Sequence, residues 1–119
     1  MNTKFHNDYL IAALWSSTDD KGEPLDDNYD ISDIALKSVN AMLAECDDFI
    51  DYCNKLGIDM DETDHPGHDF WLTRNGHGAG FWDGDYPING DKLTEAAKTF
   101  GYADLYVGDD GIIYQAGNE

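Results

Sequence analysis

Apolar residues near the start of the chain recur at a helical spacing. Tyr9 with Ala13 and Leu10 with Leu14 fall four apart, and Trp15 closes the run, which predicts a short helix over roughly 6–16. A polar stretch from Ser16 to Tyr29, punctuated by Gly22 and Pro24, reads as a loop. The clearest pattern follows. Ala35, Val39, Met42, Leu43, Cys46, Phe49, Ile50, Cys53 and Leu56 step by three and four, as one buried stripe should. Asp30 or Ser32 can cap this helix, and Gly57 stands just past its end. Its opposite face carries Glu45, Asp47, Asp48 and Asp51.

Beyond a second polar loop ending at Pro66-Gly67, the spacing changes. Phe70-Trp71-Leu72-Thr73-Arg74 and Ala79-Gly80-Phe81-Trp82-Asp83 flank Asn75-Gly76, the strongest short-range hairpin signal. A third helix is predicted from an Asp91 cap, a stripe of Leu93, Ala96, Ala97 and Phe100, and a stop at Gly101. A second hairpin then joins Asp104-Leu105-Tyr106-Val107 to Ile112-Ile113-Tyr114-Gln115 across Gly108-Asp109-Asp110-Gly111. Local antiparallel pairs among helices argue for an α+β fold. The expectation is one domain over residues 1–119, with a four-stranded antiparallel sheet of two hairpins packed against three helices.

Side chains alternate along a strand, so each hairpin sorts into two faces. Phe70, Leu72, Ala79 and Phe81 share one side of the first hairpin, and Trp71, Thr73, Gly80 and Trp82 the other. In the second, a three-residue turn ending at Gly111 groups Leu105, Val107 and Ile113, and sets Tyr106 beside Tyr114. The far face would carry a row of Trp71, Trp82, Tyr106 and Tyr114. That row is either an exposed binding face or is covered by the N-terminal helix or the acidic loop.

Composition narrows the function. The chain has 119 residues, with 25 Asp and Glu against 7 Lys and Arg, for a formal net charge of −18. Such a chain does not grip a nucleic-acid backbone, which needs a positive patch, and it is repelled by anionic membranes. No run reaches the roughly 20 apolar residues of a membrane span, and the polar start, with Asp8, does not read as a signal peptide. Cys46 and Cys53 lie two helical turns apart, about 10.5 Å, beyond the reach of a disulfide. They read as reduced core thiols in a cytoplasmic protein.

Candidate chemistry is sparse. His65, His68, Asp69 and His77, with Asp83, form the one cluster resembling a metal or acid/base site. Its spacing matches no zinc motif, and a hairpin would hold His68 and His77 about 15–20 Å apart. A metal-dependent enzyme using the His65, His68 and His77 region is therefore the third-ranked reading. Asp59-x-Asp61 lacks the Gly and Glu of a calcium loop. Gly76-His77-Gly78-Ala79-Gly80 lacks the Lys and helix of a phosphate loop. No Ser or Cys nucleophile signature occurs. Neither a catalytic residue nor a cofactor or metal is expected.

The block His68-Asp69-Phe70-Trp71-Leu72-Thr73-Arg74-Asn75-Gly76-His77-Gly78-Ala79-Gly80-Phe81-Trp82-Asp83, with the later Leu105-Tyr106-Val107-Gly108-Asp109-Asp110-Gly111-Ile112-Ile113-Tyr114, resembles small acidic proteins of unassigned function carried by bacteriophages and mobile elements. The resemblance implies a bacterial or phage cytoplasmic setting and no activity for any residue.

The carboxylates cluster at Asp19, Asp20, Glu23, Asp26 and Asp27, at Asp47, Asp48 and Asp51, and at Asp59, Asp61 and Glu62. Duplex DNA carries one negative charge per roughly 1.7 Å of axis. A folded body with acids in rows can present a comparable field to a protein built to hold DNA. The leading expectation is thus an inhibitor or decoy that binds a basic, nucleic-acid-binding host protein such as a restriction, CRISPR or repair enzyme. Those carboxylates, with Trp71 and Trp82, are the candidate contact residues. The alternative is an accessory or regulatory module binding a protein through an aromatic sheet face.

Overall fold

A fourteen-residue helix, α1 (Thr3–Ser16), forms the spine of the molecule. The computed structural model describes residues 3–19, 21–58, 66–76 and 90–116. Phe5, His6, Tyr9, Leu10, Ala12, Ala13 and Leu14 are all buried, so α1 is covered on most of its circumference. Two 3-10 turns follow, Leu25–Asp27 and Ile31–Asp33, then α2 (Leu36–Lys55), α3 (Pro66–Arg74), α4 (Gly90–Lys98), and strands β1 (Asp104–Val107) and β2 (Ile113–Ala116).

The α+β class holds, but the four-stranded sheet does not. Among the described residues there are four helices and one two-stranded antiparallel sheet. The segment expected as the first strand of the first hairpin is α3. Its sequence carries helix signals beside the hairpin signal. Pro66 occupies the first helical position, Asp69 lies in the first turn and Arg74 in the last, matching the helix dipole. Asn75-Gly76 closes the helix instead of turning a hairpin. Gly76 takes φ 70°, and its N–H donates to the Thr73 carbonyl at 3.1 Å. The expected partner strand, 79–83, lies outside the described residues.

The long helix starts later than expected. Asp30 caps the 3-10 turn, not α2: its carboxylate accepts from Ser32 N while Asp33 accepts from Asp30 N. Ile34 is then extended, and Ala35 N donates to Ile113 O at 2.8 Å, so β2 leans on the entry to α2. Gln115 N donates to Ser38 Oγ at 3.0 Å and fastens the first turn of α2 to β2.

The second hairpin has the expected register. Tyr106 faces Tyr114 and Val107 faces Ile113. Gly111 supplies the left-handed residue of the turn at φ 79°. Leu105 and Ile113 are buried, while the Tyr106 and Tyr114 rings stack outside at 5.8 Å.

The core is aromatic where α1, α2 and α3 meet. Phe49 and Phe70 stack with centroids 4.0 Å apart, and Phe5, Tyr9 and Phe100 close around them. Cys46 and Cys53 are free thiols buried in the α2 stripe.

Candidate functional site

The expected contact residues separate into distinct groups. In the loop after α1, Leu25 is fully buried and anchors the segment, and a bridge between Thr18 and Pro24 closes it. Asp19 turns back on its own loop, accepting from the backbone N–H groups of Lys21 and Glu23 at 2.9 and 3.0 Å. Glu23 accepts from Asn28 Nδ2 at 3.2 Å. Asp26 and Asp27 stand exposed on the 3-10 turn.

On α2, Asp48 and Asp51 are exposed, with Lys55 at 3.1 Å from Asp51. Asp47 has a structural task as well: it accepts from His6 Nε2, a buried α1 imidazole, at 2.8 Å. Asp20, Asp59, Asp61, Glu62 and Trp82 lie outside the described residues.

Trp71 is not a surface residue. It is 1% exposed, and its Nε1 donates to Ser16 Oγ at 2.7 Å. The predicted row of Trp71, Trp82, Tyr106 and Tyr114 therefore does not form, because Trp71 belongs to a helix packed on α1. Among the described residues of that row, Tyr106 and Tyr114 stack on the hairpin's outer face.

The histidine region is also rearranged. His68 sits on α3, and its Nε2 accepts from Trp15 Nε1 at 3.0 Å. An indole N–H only donates, so a neutral His68 ring carries its proton on Nδ1. His65 and His77 lie outside the described residues, and among the described ones no three His, Cys, Asp or Glu side chains gather as a metal site.

What the structure brings together is a groove that sequence spacing did not reveal. Ile11 and Leu14 of α1 face Tyr29 and Ile31 across an open cleft of about 620 Å³, with Asp26, Asp30 and Ser32 at its lip. Its lining is mostly apolar, with two carboxylates among it. Ile11 is 48% exposed. One signal for it was available: Ile11 falls between the two stripe pairs of α1, so an apolar residue had to point away from them. Tyr29 and Ile31 gave no such signal, since loop residues carry no period.

A second cleft of about 530 Å³ adjoins it, sharing Ile31 and Ser32 and bounded by Leu36 and Ile112. Leu36 is 75% exposed at the start of α2.

The perturbed groups lie elsewhere. Burial pushes the Tyr9 phenol and the Cys46 thiol well above their ordinary values, and the Cys53 thiol up to about 11. Asp110 is held below the usual carboxylate range by the Tyr114 hydroxyl, which donates to it at 2.6 Å, and the Tyr114 phenol is raised in turn. None of these groups lines the groove. The groove sets apolar side chains, which gain from desolvation, beside carboxylates, which attract cations. Comparison of the chain with protein-family models, with curated proteins and with solved structures finds no match.

Proposed function

We propose that this protein is a non-catalytic acidic inhibitor of the decoy type, which binds a basic nucleic-acid-binding protein in a bacterial host cell. The observation that carries the reading is the exposure of Glu23, Asp26, Asp27 and Asp30 on one loop and of Asp48 and Asp51 on α2. Lys21 is the exposed cation on that loop, and Lys37, Lys92 and Lys98 are exposed elsewhere, so acids outnumber bases on the surface. Arg74, the one arginine in the chain, is buried in the core. Lys4 and Lys55 are tied to Asp8 and Asp51 within their own helices. With a net charge of −18, such a surface repels nucleic acid and attracts the proteins that hold it. Among the described residues no helix is long and apolar enough to cross a membrane.

The test is retention from a bacterial lysate on the immobilised protein, followed by identification of what is held and competition with duplex DNA. A basic DNA- or RNA-binding protein should be retained at about 50 mM salt, be lost steeply toward about 200 mM, and be displaced by the duplex. Retention of proteins that duplex DNA does not displace, or of no nucleic-acid-binding protein at low salt, would overturn the reading.

A further inference from the structure

We infer that the groove between α1 and the 3-10 turns is where a partner is gripped, and that its occupant is a basic amphipathic segment of that partner. This deepens the decoy reading and rests on it. Three features point to this occupant. Ile11, Leu14, Tyr29 and Ile31 give the groove an apolar lining, in an open depression of about 620 Å³ that a side chain of a partner can lie across. The lip carries Asp26 and Asp30, both exposed, with Asp27 beside them. The adjoining cleft at Leu36 and Ile112 extends the apolar surface past Ile31.

An apolar side chain seated on Ile11 and Ile31 would bring flanking Lys or Arg residues onto the carboxylates. Long-range attraction then brings the partner in, and apolar burial holds it. A second copy of the chain fits poorly, since two bodies of −18 would meet like charge to like. A purely apolar segment would desolvate Asp26 and Asp30 without bringing a cation to either.

Two synthetic helical peptides of equal charge provide the probe: one with Leu at i, i+3, i+4 and i+7 and Lys elsewhere, the other with Ser in place of Leu. Binding is measured by titration calorimetry, and the contact surface by backbone amide shifts in nitrogen-15 spectra. The Leu peptide should bind about tenfold or more tightly than the Ser peptide. Its shifts should centre on Ile11, Leu14, Tyr29 and Ile31. Ile11→Ser should remove the Leu peptide's advantage while leaving the Ser peptide unchanged. Asp26→Asn should weaken both and flatten their salt dependence. Equal binding of the two peptides, or indifference of the Leu peptide to Ile11→Ser, would overturn the groove assignment while leaving the wider acidic-decoy reading standing. Failure of both peptides to bind at low salt would overturn the two together. Concentration-dependent shifts at Ile11 and Ile31 in the protein alone would assign the groove to a second copy and overturn the proposal.

Discussion

The Arg74 guanidinium donates from Nη1 to the Tyr9 hydroxyl at 2.9 Å, joining residues 65 apart in sequence inside the core. The same side chain donates to Glu45 at 3.2 Å, to the Gly101 carbonyl at 2.8 Å and to the Phe100 carbonyl at 2.8 Å. It also lies over the rings of Phe70 and Phe100. Burial by itself disfavours its charge, but Tyr9 and Glu45 more than compensate, and its pKa is raised. One residue thereby fastens α1, α2, α3 and the turn before β1.

Removing that residue should therefore unfasten four segments at once. Arg74→Met would leave Glu45 and two carbonyls short of a donor, at a cost of about 3–5 kcal/mol. Arg74→Lys should recover little of it, because an ammonium cannot reproduce the planar fork that meets Phe100, Gly101, Tyr9 and Glu45. Urea unfolding of the two variants checks this. A Lys variant with the parent's midpoint would show that charge alone, not geometry, matters at this position.

How far the fold could be read in advance follows from which faces each element buries. The stripe of α2 and that of α4 are one-sided, so their spacing showed, and a three-residue turn ending at Gly111, with the alternation of Leu105, Tyr106 and Val107, predicted the hairpin's register. The segment Phe70 to Arg74 is buried on every side. A short run buried all round has no period, and neither strand nor helix can be read from it by spacing. Asn75-Gly76 serves a hairpin and a helix end equally well. The acidic loop was visible as composition. The groove was not, because it is assembled from α1 and two turns whose meeting depends on the buried Leu25. Arg74, expected within the first hairpin, is a core residue.

Gly67 gives a sign test of the α1–α3 packing. A Cβ placed there would lie 2.2 Å from the Phe5 carbonyl oxygen, a backbone atom that cannot swing aside. Helix propensity alone predicts that Gly67→Ala stabilises by about 1 kcal/mol. The close approach predicts the opposite, a loss of about 1–3 kcal/mol from overpacking. Gly57→Ala is the reference, since nothing lies within 4 Å of that position and only the cost of φ 71° remains. Thermal unfolding of Gly67→Ala at a raised Tm would refute the packing.

Trp71 distinguishes a core helix from a surface strand directly. Buried and bonded to Ser16, it should cost about 3–5 kcal/mol when replaced by Ala. On an exposed sheet face the same change would fall within about 0.5 kcal/mol. Trp71→Phe keeps most of the packing and removes the donor to Ser16, for a loss nearer 1 kcal/mol. Denaturant midpoints for the three proteins should fall in the order parent, Phe, Ala.

Alkaline pH should loosen the fold through the two buried thiols and the buried phenol. In the unfolded chain Cys53 loses its proton near 9.0 and Tyr9 near 10.0. In the folded chain burial pushes Cys53 up to about 11 and raises Tyr9 well beyond its ordinary value. As pH climbs past 9 the unfolded state sheds protons that the folded state retains, so the unfolded state binds fewer and stability falls with rising pH. The Cys53 contribution is complete below pH 9 and gone above about 11, the Cys46 contribution also begins to be lost above pH 9, and that of Tyr9 above pH 10. Urea midpoints measured from neutral pH upward should hold level to pH 9 and then decline. The decline should be shallower in Tyr9→Phe, relative to its own neutral midpoint, since that variant has no phenol to ionise. A midpoint that stays level to about pH 11 would mean that Tyr9, Cys46 and Cys53 all meet solvent in the folded chain, contrary to a core that buries them.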